Sequence, residues 1–161
     1  LEFRRVLFRS MIIQWDKKME TGIPFLDADH MKLLAIINNI HHEITSPYSG
    51  KDELNKLFND IIMYSIYHFN NEESLFKQFD YPGSVTHQQS HDSFKLTIVE
   101  YHKSLLSGDI VVVSTDIANF LVNWLFDHIL EEDMMYKPFF LDRYNEVMKF
   151  SATLLLERNA R

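Results

Sequence analysis

The stretch that decides the fold is residues 68–91. It begins His68-Phe69-Asn70-Asn71-Glu72, breaks at Tyr81-Pro82-Gly83 and closes with His87-Gln88-Gln89-Ser90-His91. Each half carries two metal-competent side chains four residues apart. In a helix that spacing is about one turn, so both members of a pair project from one face. Two such pairs, on helices joined by a tight Pro-Gly turn, face one another across a bundle core. Helical proteins build metal sites in this way.

The flanking sequence has the same helical character. From His30, the apolar or metal-competent positions run Leu33, Leu34, Ile37, His41 and Ile44, the i, i+3, i+4, i+7 stripe of an amphipathic helix. Asp27 or Asp29 can cap its start, and Ser46-Pro47 ends it. A second helix is predicted over residues 51–79, with Leu54, Phe58, Ile61, His68, Glu72 and Phe76 on one broad face. A third covers residues 85–107, with His87, His91, Phe94 and Ile98 inward. A fourth, capped by Ser114 or Thr115, carries Ile117, Leu121, Trp124 and His128 and runs to Lys137, before Pro138. The β-branched run 110–113 is too short to support a sheet. A last stripe from Phe140 through Tyr144 and Val147 to Leu155 predicts a fifth helix, packed on the bundle or offered to a second copy. The expected fold class is all-α: an up-down-up-down four-helix bundle, an irregular N-terminal arm and an additional C-terminal helix. Residues 1–10 (LEFRRVLFRS) lack an initiator methionine and read as a non-native leader. Residues 11–139 read as the bundle domain and 140–161 as its helical extension.

Composition narrows the function. The chain has 161 residues and a formal charge of -7, so it presents no basic footprint for nucleic acid. It contains no cysteine, which excludes disulfides, thiolate catalysis, iron–sulfur clusters and cysteine-based zinc sites. No run of about 18 apolar residues is present, so no membrane-spanning helix is expected, and the expected location is cytoplasmic.

Ionisable groups on inward stripes are costly unless paired or bound to metal. A lone core histidine is ordinarily just hydrogen-bonded. Here His30, His68, His87, His91 and His128 fall on the inward stripes of four helices. Glu72 shares the face of His68, and the acidic run Glu131-Glu132-Asp133 follows His128. Five imidazoles with carboxylates and no thiolate suit iron and are too many for one zinc. Two metals bridged by carboxylates would use them all.

On these residues the chain resembles the hemerythrins, in particular bacterial hemerythrin-like domains. The likeness covers about residues 15–139. It rests on Trp15, the run Gly22-Ile23-Pro24-Phe25-Leu26-Asp27-Ala28-Asp29-His30, the His68/Glu72 and His87/His91 pairs, and Trp124, His128 and Asp133. The resemblance implies two non-haem irons. His87, His91 and His128 would bind one, and His30 and His68 the other. Glu72 and Asp133 would bridge them with an oxo or hydroxo group. It also implies O2 binding at the iron with two histidines, with azide or nitric oxide as alternative ligands.

Coordination arithmetic agrees. Three imidazoles plus three bridges fill six positions, while two imidazoles leave one vacancy for a ligand. His128 and Asp133 are five residues apart, about 140° of rotation in a regular helix. Glu132, at i+4, suits ideal geometry better, and the family pattern selects Asp133. A local i→i+5 turn near residues 129–133 would reconcile the two. Leu125 is the preferred oxygen-pocket residue, with Trp124, Phe69 and Ile129 as further candidates. His41 and His102 lie eleven residues beyond His30 and His91, about 16 Å along the axis, too far to ligate.

Reversible oxygen binding for storage, delivery or sensing is therefore the expected function, without catalytic residues, as a monomer or a homo-oligomer through the C-terminal helix. The alternatives are a diiron redox enzyme, such as an oxidase, peroxidase or nitric oxide reductase, and a sensory module. No Glu here is followed by His three residues later, the pattern of carboxylate-rich diiron enzymes.

Overall fold

The computed structural model describes residues 13–48, 50–107 and 110–159. The expected leader, residues 1–10, lies outside them. The described chain is helical, with no strand among the described residues. We label its helices α1 (Pro24–Thr45), α2 (Lys51–Gln78), α3 (Ser84–Ser107), α4 (Ile110–Asp127), α5 (Asp133–Leu141) and α6 (Tyr144–Asn159). A 3-10 turn, Lys17–Met19, precedes α1, and a π turn, His128–Glu132, joins α4 to α5. Helix α1 packs on α2, α2 on α3, α3 on α4 and α4 back on α1, which closes the four-helix ring.

Three helix boundaries differ from expectation. Helix α1 opens at Pro24 rather than at Asp27 or Asp29. Proline suits the first helical position because its fixed φ is already helical and its missing N–H has no partner there anyway. Asp27 still serves the helix start from inside the first turns. Its carboxylate accepts from the backbone N–H of Thr21 and Gly22 and from the Thr21 hydroxyl. The Thr21 oxygen in turn accepts from the N–H of Ile23. Gly22 is held at φ +81°, and a Cβ there would come within 3.1 Å of Leu141. Asp29 is buried in the helix interior and belongs to the site.

Helix α4 begins at Ile110, so Ser114 and Thr115 lie within it rather than capping it. β-Branched residues lose only a few tenths of a kcal/mol each in a helix, too little to hold that run out of one. Helix α5 passes through Pro138 to Leu141 instead of stopping at Lys137. A proline inside a helix costs about 3 kcal/mol. Tyr136 and Phe140, one turn apart and both fully buried, offset it by packing into an aromatic layer.

The α2–α3 connection has the expected character. Asp80 takes φ 50°, and Tyr81 N–H bonds back to the Phe76 carbonyl, the 6→1 closure of a left-handed helix end. Tyr81 folds over Gly83 so closely that a Cβ at Gly83 would lie 2.6 Å from its hydroxyl oxygen.

Two apolar clusters flank the polar centre. One fills the bundle from Met19 and Leu33 through Phe58, Ile61 and Phe94 to Leu125 and Ile129. The other lies at the α2–α3 turn and joins Ile23, Leu26, Leu75, Phe76, Tyr81, Tyr136 and Phe140 with Val147 of α6. Phe150 also packs against it, so α6 is seated on the bundle by its first half. Farther along, Leu156 is 71% exposed.

Candidate metal centre

Helices α1, α2 and α3 and the π turn that continues α4 send imidazole or carboxylate groups inward to the level between the two clusters. His30 comes from α1, His68 and Glu72 from α2, His87 and His91 from α3, and His128 and Asp133 from the π turn and its exit. All seven are buried, with Glu72, Asp133, His30, His68 and His91 at 0% exposure. They form two overlapping sets, Glu72–His87–His91–His128 and His30–His68–Glu72–Asp133. Within each, one ligand-type atom per residue lies within 4.8 Å of all the others.

The nitrogens converge. His91 Nε2 is 3.3 Å from His128 Nε2, and His30 Nε2 is 3.2 Å from His68 Nε2. Glu72 Oε2 lies 3.0 Å from His91, 3.3 Å from His87 and 3.6 Å from His68, so one carboxylate reaches both sets. Asp133 divides its oxygens between them. Oδ1 is 3.3 Å from His128 Nε2 and 3.4 Å from His87 Nε2, and Oδ2 is 3.1 Å from His30 Nε2.

Asp133 reaches this position through the π turn. Its N–H bonds to the His128 carbonyl, an i→i−5 closure that brings residues five apart onto one side. The expected widening is therefore present, between His128 and Glu132. Glu132 points elsewhere: its Oε2 is 3.1 Å from His128 Nδ1, on the outer side of the ring, and it belongs to neither set.

The electrostatics divide the imidazoles: burial holds His68 below its usual range, while neighbouring carboxylates draw positive charge to His128. Burial alone would raise Glu72, but His68 and hydrogen bonds from His128, His87 and His91 outweigh it and hold the carboxyl well below its usual range. Burial works against a charged His128, yet Asp133, then Glu132 and Glu72, push it up to about 10. Burial and the nearby Asp133 and Glu72 charges raise Tyr136 well above the usual phenol, so it remains a donor. Its hydroxyl gives Glu72 Oε1 a 2.7 Å hydrogen bond. Neither Asp133 oxygen has a hydrogen-bond partner among the described residues, although both are buried. An orphaned carboxylate facing converging imidazole nitrogens fits a bound cation, since a buried charge otherwise needs donors. The donor set, nitrogen and oxygen without sulfur, suits iron.

Aromatic rings line the site. Phe69 stacks on His91 at 3.8 Å between centroids and 11° between planes. Trp124 stacks on His128 at 4.3 Å and 17°. Phe76 meets His87 edge-on at 4.9 Å. Of the four pocket candidates, Phe69 and Trp124 thus touch the imidazoles directly, while Leu125 and Ile129 are buried in the adjoining core. His102 stacks on Phe58, away from both sets.

Three partners of the ligand-type residues, Asp29, Glu73 and Tyr136, were not assigned to the site from sequence. Asp29 lies 3.6 Å from His68 Nδ1 and accepts from the Tyr64 hydroxyl at 2.8 Å and the Asn71 amide at 2.6 Å. Glu73 Oε1 is 3.1 Å from His91 Nδ1. Asp29 and Glu73 each adjoin a ligand-type residue in sequence, a usable if weak signal. Tyr136, 64 residues from Glu72, gave none.

A ring of four helices encloses two imidazole–carboxylate sets that could hold a cation. The chain belongs to the hemerythrin family: the model for the hemerythrin HHE cation binding domain matches residues 21–140. It is 26% identical over 125 residues to a bacteriohemerythrin of Stenotrophomonas maltophilia, covering 78% of this chain and 79% of that one. It is 31% identical over 124 residues to a hemerythrin-like protein of Naegleria gruberi, covering 76% and 89% respectively. A wild-type hemerythrin crystal structure superposes with a TM-score of 0.72 at 24% identity, over 80% of this chain and 97% of the other, which supports the fold.

Proposed function

We propose that this protein binds O2 reversibly at a carboxylate-bridged pair of non-haem irons, for storage, delivery or sensing. The observation that carries the reading is the unequal division of imidazoles, three in one set and two in the other, around one carboxylate, Glu72, common to both. His87, His91 and His128 would hold one iron and His30 and His68 the second, with Glu72 and Asp133 spanning both. Bound there, such a pair would supply redox-active metal chemistry toward a diatomic ligand, with fewer imidazoles to hold the iron at the two-histidine side.

The protein's own part is to shape and dry that position. Leu125 is assigned to the pocket wall, with Ile129 beside it in the core, while Phe69 and Trp124 would keep water from the centre on the three-histidine side, stacked on His91 and His128. Tyr136 holds one oxygen of Glu72, and Asp29, fixed by Tyr64 and Asn71, sits behind His68. Histidine-rich coordination favours stable binding over oxygen activation, which makes a carrier or sensor the preferred reading over a redox enzyme. Helix α6 is assigned as an extension of the domain.

Visible spectroscopy of iron-loaded protein under nitrogen, then air, then nitrogen again tests the proposal. Colour that appears with O2 and disappears on its removal supports it. Irreversible oxidation with turnover of a reductant would establish the enzyme instead.

A further inference from the structure

The two sets differ outside the ligand ring. In the three-histidine set, two imidazoles have a carboxylate on the nitrogen that faces away from the centre: Glu73 at 3.1 Å from His91 and Glu132 at 3.1 Å from His128. The arrangement repeats, once from helix α2 and once from the π turn. Each carboxylate spends one oxygen on the imidazole and the other on a polar side chain of α3. Gln88 donates to Glu73 Oε2 at 3.3 Å, and Ser90 donates to Glu132 Oε1 at 2.9 Å. Each is thus anchored at both oxygens, at the edge of the site rather than within it.

The two-histidine set has no equivalent at hydrogen-bond distance among the described residues. His30 Nδ1 has no partner there, and Asp29 stands 3.6 Å from His68 Nδ1, too long for a hydrogen bond.

We propose that Glu73 and Glu132 are positioning residues that make the three-histidine half the first and tighter to take up a divalent cation. A carboxylate that accepts the outer N–H of an imidazole fixes its tautomer with the proton outward. It also holds the ring plane and makes the inner nitrogen a stronger donor. Loss of such a partner costs about 10–100-fold in metal affinity. The proposal rests on the two-metal part of the functional reading and is independent of oxygen binding.

The test uses the full chain stripped of metal and titrated with Zn(II), followed by NMR of the histidine side chains and by calorimetry. In the wild type, resonances of His87, His91 and His128 should shift before those of His30 and His68. Glu73→Gln and Glu132→Gln keep side-chain size and one acceptor oxygen while removing charge. Each should weaken the first binding event by about 10–100-fold, and the double variant should lose the order of filling, with helicity by circular dichroism unchanged. Wild-type affinity and order in the folded single variants would overturn the proposal. A wild type that takes up no zinc would overturn it together with the diiron reading. Ordered zinc uptake in a protein that does not bind O2 with iron would leave this proposal standing and remove only the oxygen reading.

Discussion

Around His87, His91 and His128 the rings are held on several sides, by Phe76, Phe69 and Trp124 against them and by Glu73 and Glu132 behind two of them. Around His30 and His68 the support is thinner. The Trp15 ring centroid is 6.4 Å from His30, and Asp29 does not reach hydrogen-bond distance of His68. The same residue types thus make a braced half and a lightly braced half, joined by Glu72 and Asp133. Rigid surroundings suit a metal whose coordination is meant to stay complete. A half with fewer imidazoles and fewer struts suits one that must accept and release a ligand.

The strongest way to break this contrast is to remove what both halves share. Glu72→Ala deletes the carboxylate that lies in both sets, so we expect iron content to fall from two per chain to below one, measured by elemental analysis of folded protein. Retention of two irons would show that the halves do not depend on a common bridge.

Next in size is the phase of the π turn. Inserting one alanine after Leu130 puts Asp133 six positions past His128, about 240° round a regular helix, and should strip Asp133 from the site. Deleting Leu130 places Asp133 at i+4, within about 40° of His128, and should keep both metals. Leu130 is 38% exposed, so its removal disturbs little packing. Equal iron loss in both variants would mean that the widened turn itself, rather than the phase it sets, is what the site requires.

That turn also marks how far the sequence could be read. The bundle was legible because the apolar stripes of its helices are long and regular, and the inward histidines and Glu72 stood out as costly residues on those stripes. Asp133 was not legible from periodicity, since a regular helix prefers Glu132, and only the family pattern selected it. The backbone resolves the rivalry by widening, and Glu132 becomes the outer partner of His128. The first helix starts at Pro24 rather than Asp27 because proline's preference for the first turn outranks a cap residue, and α4 starts at Ile110 rather than Ser114 because a β-branched run costs a helix little. Helix α5 was misread at its end because the burial of Tyr136 and Phe140 is a long-range fact that no local rule contains.

Those two aromatics permit a milder test of the braced half. Phe140 stacks on Phe76 at 6.0 Å and 5°, and Phe76 in turn meets His87. Phe140→Ala should cost roughly 3–5 kcal/mol through the cavity it leaves. At roughly 2–4 °C per kcal/mol for a chain of this size, calorimetry should show Tm lower by about 6–20 °C. Iron stoichiometry should hold, because no ligand-type residue is lost. A loss under about 1 kcal/mol would show that the site does not lean on this layer.

The smallest effect expected is at Tyr136, where the aromatic layer touches the shared carboxylate. Its ring is fully buried among Phe76, Tyr81 and Phe140, and its hydroxyl donates to Glu72 Oε1. Tyr136→Phe keeps the ring and removes only that donor. A buried acceptor left without its partner costs about 1–3 kcal/mol. Tm should therefore fall by less than in Phe140→Ala, with two irons retained, since Glu72 Oε2 still faces the imidazoles of both sets. Unchanged Tm would mean that solvent or a bound cation satisfies Oε1 in place of the tyrosine. Loss of iron from one half alone would show that the hydrogen bond sets which way Glu72 leans, and the two halves would then be balanced by a single phenol.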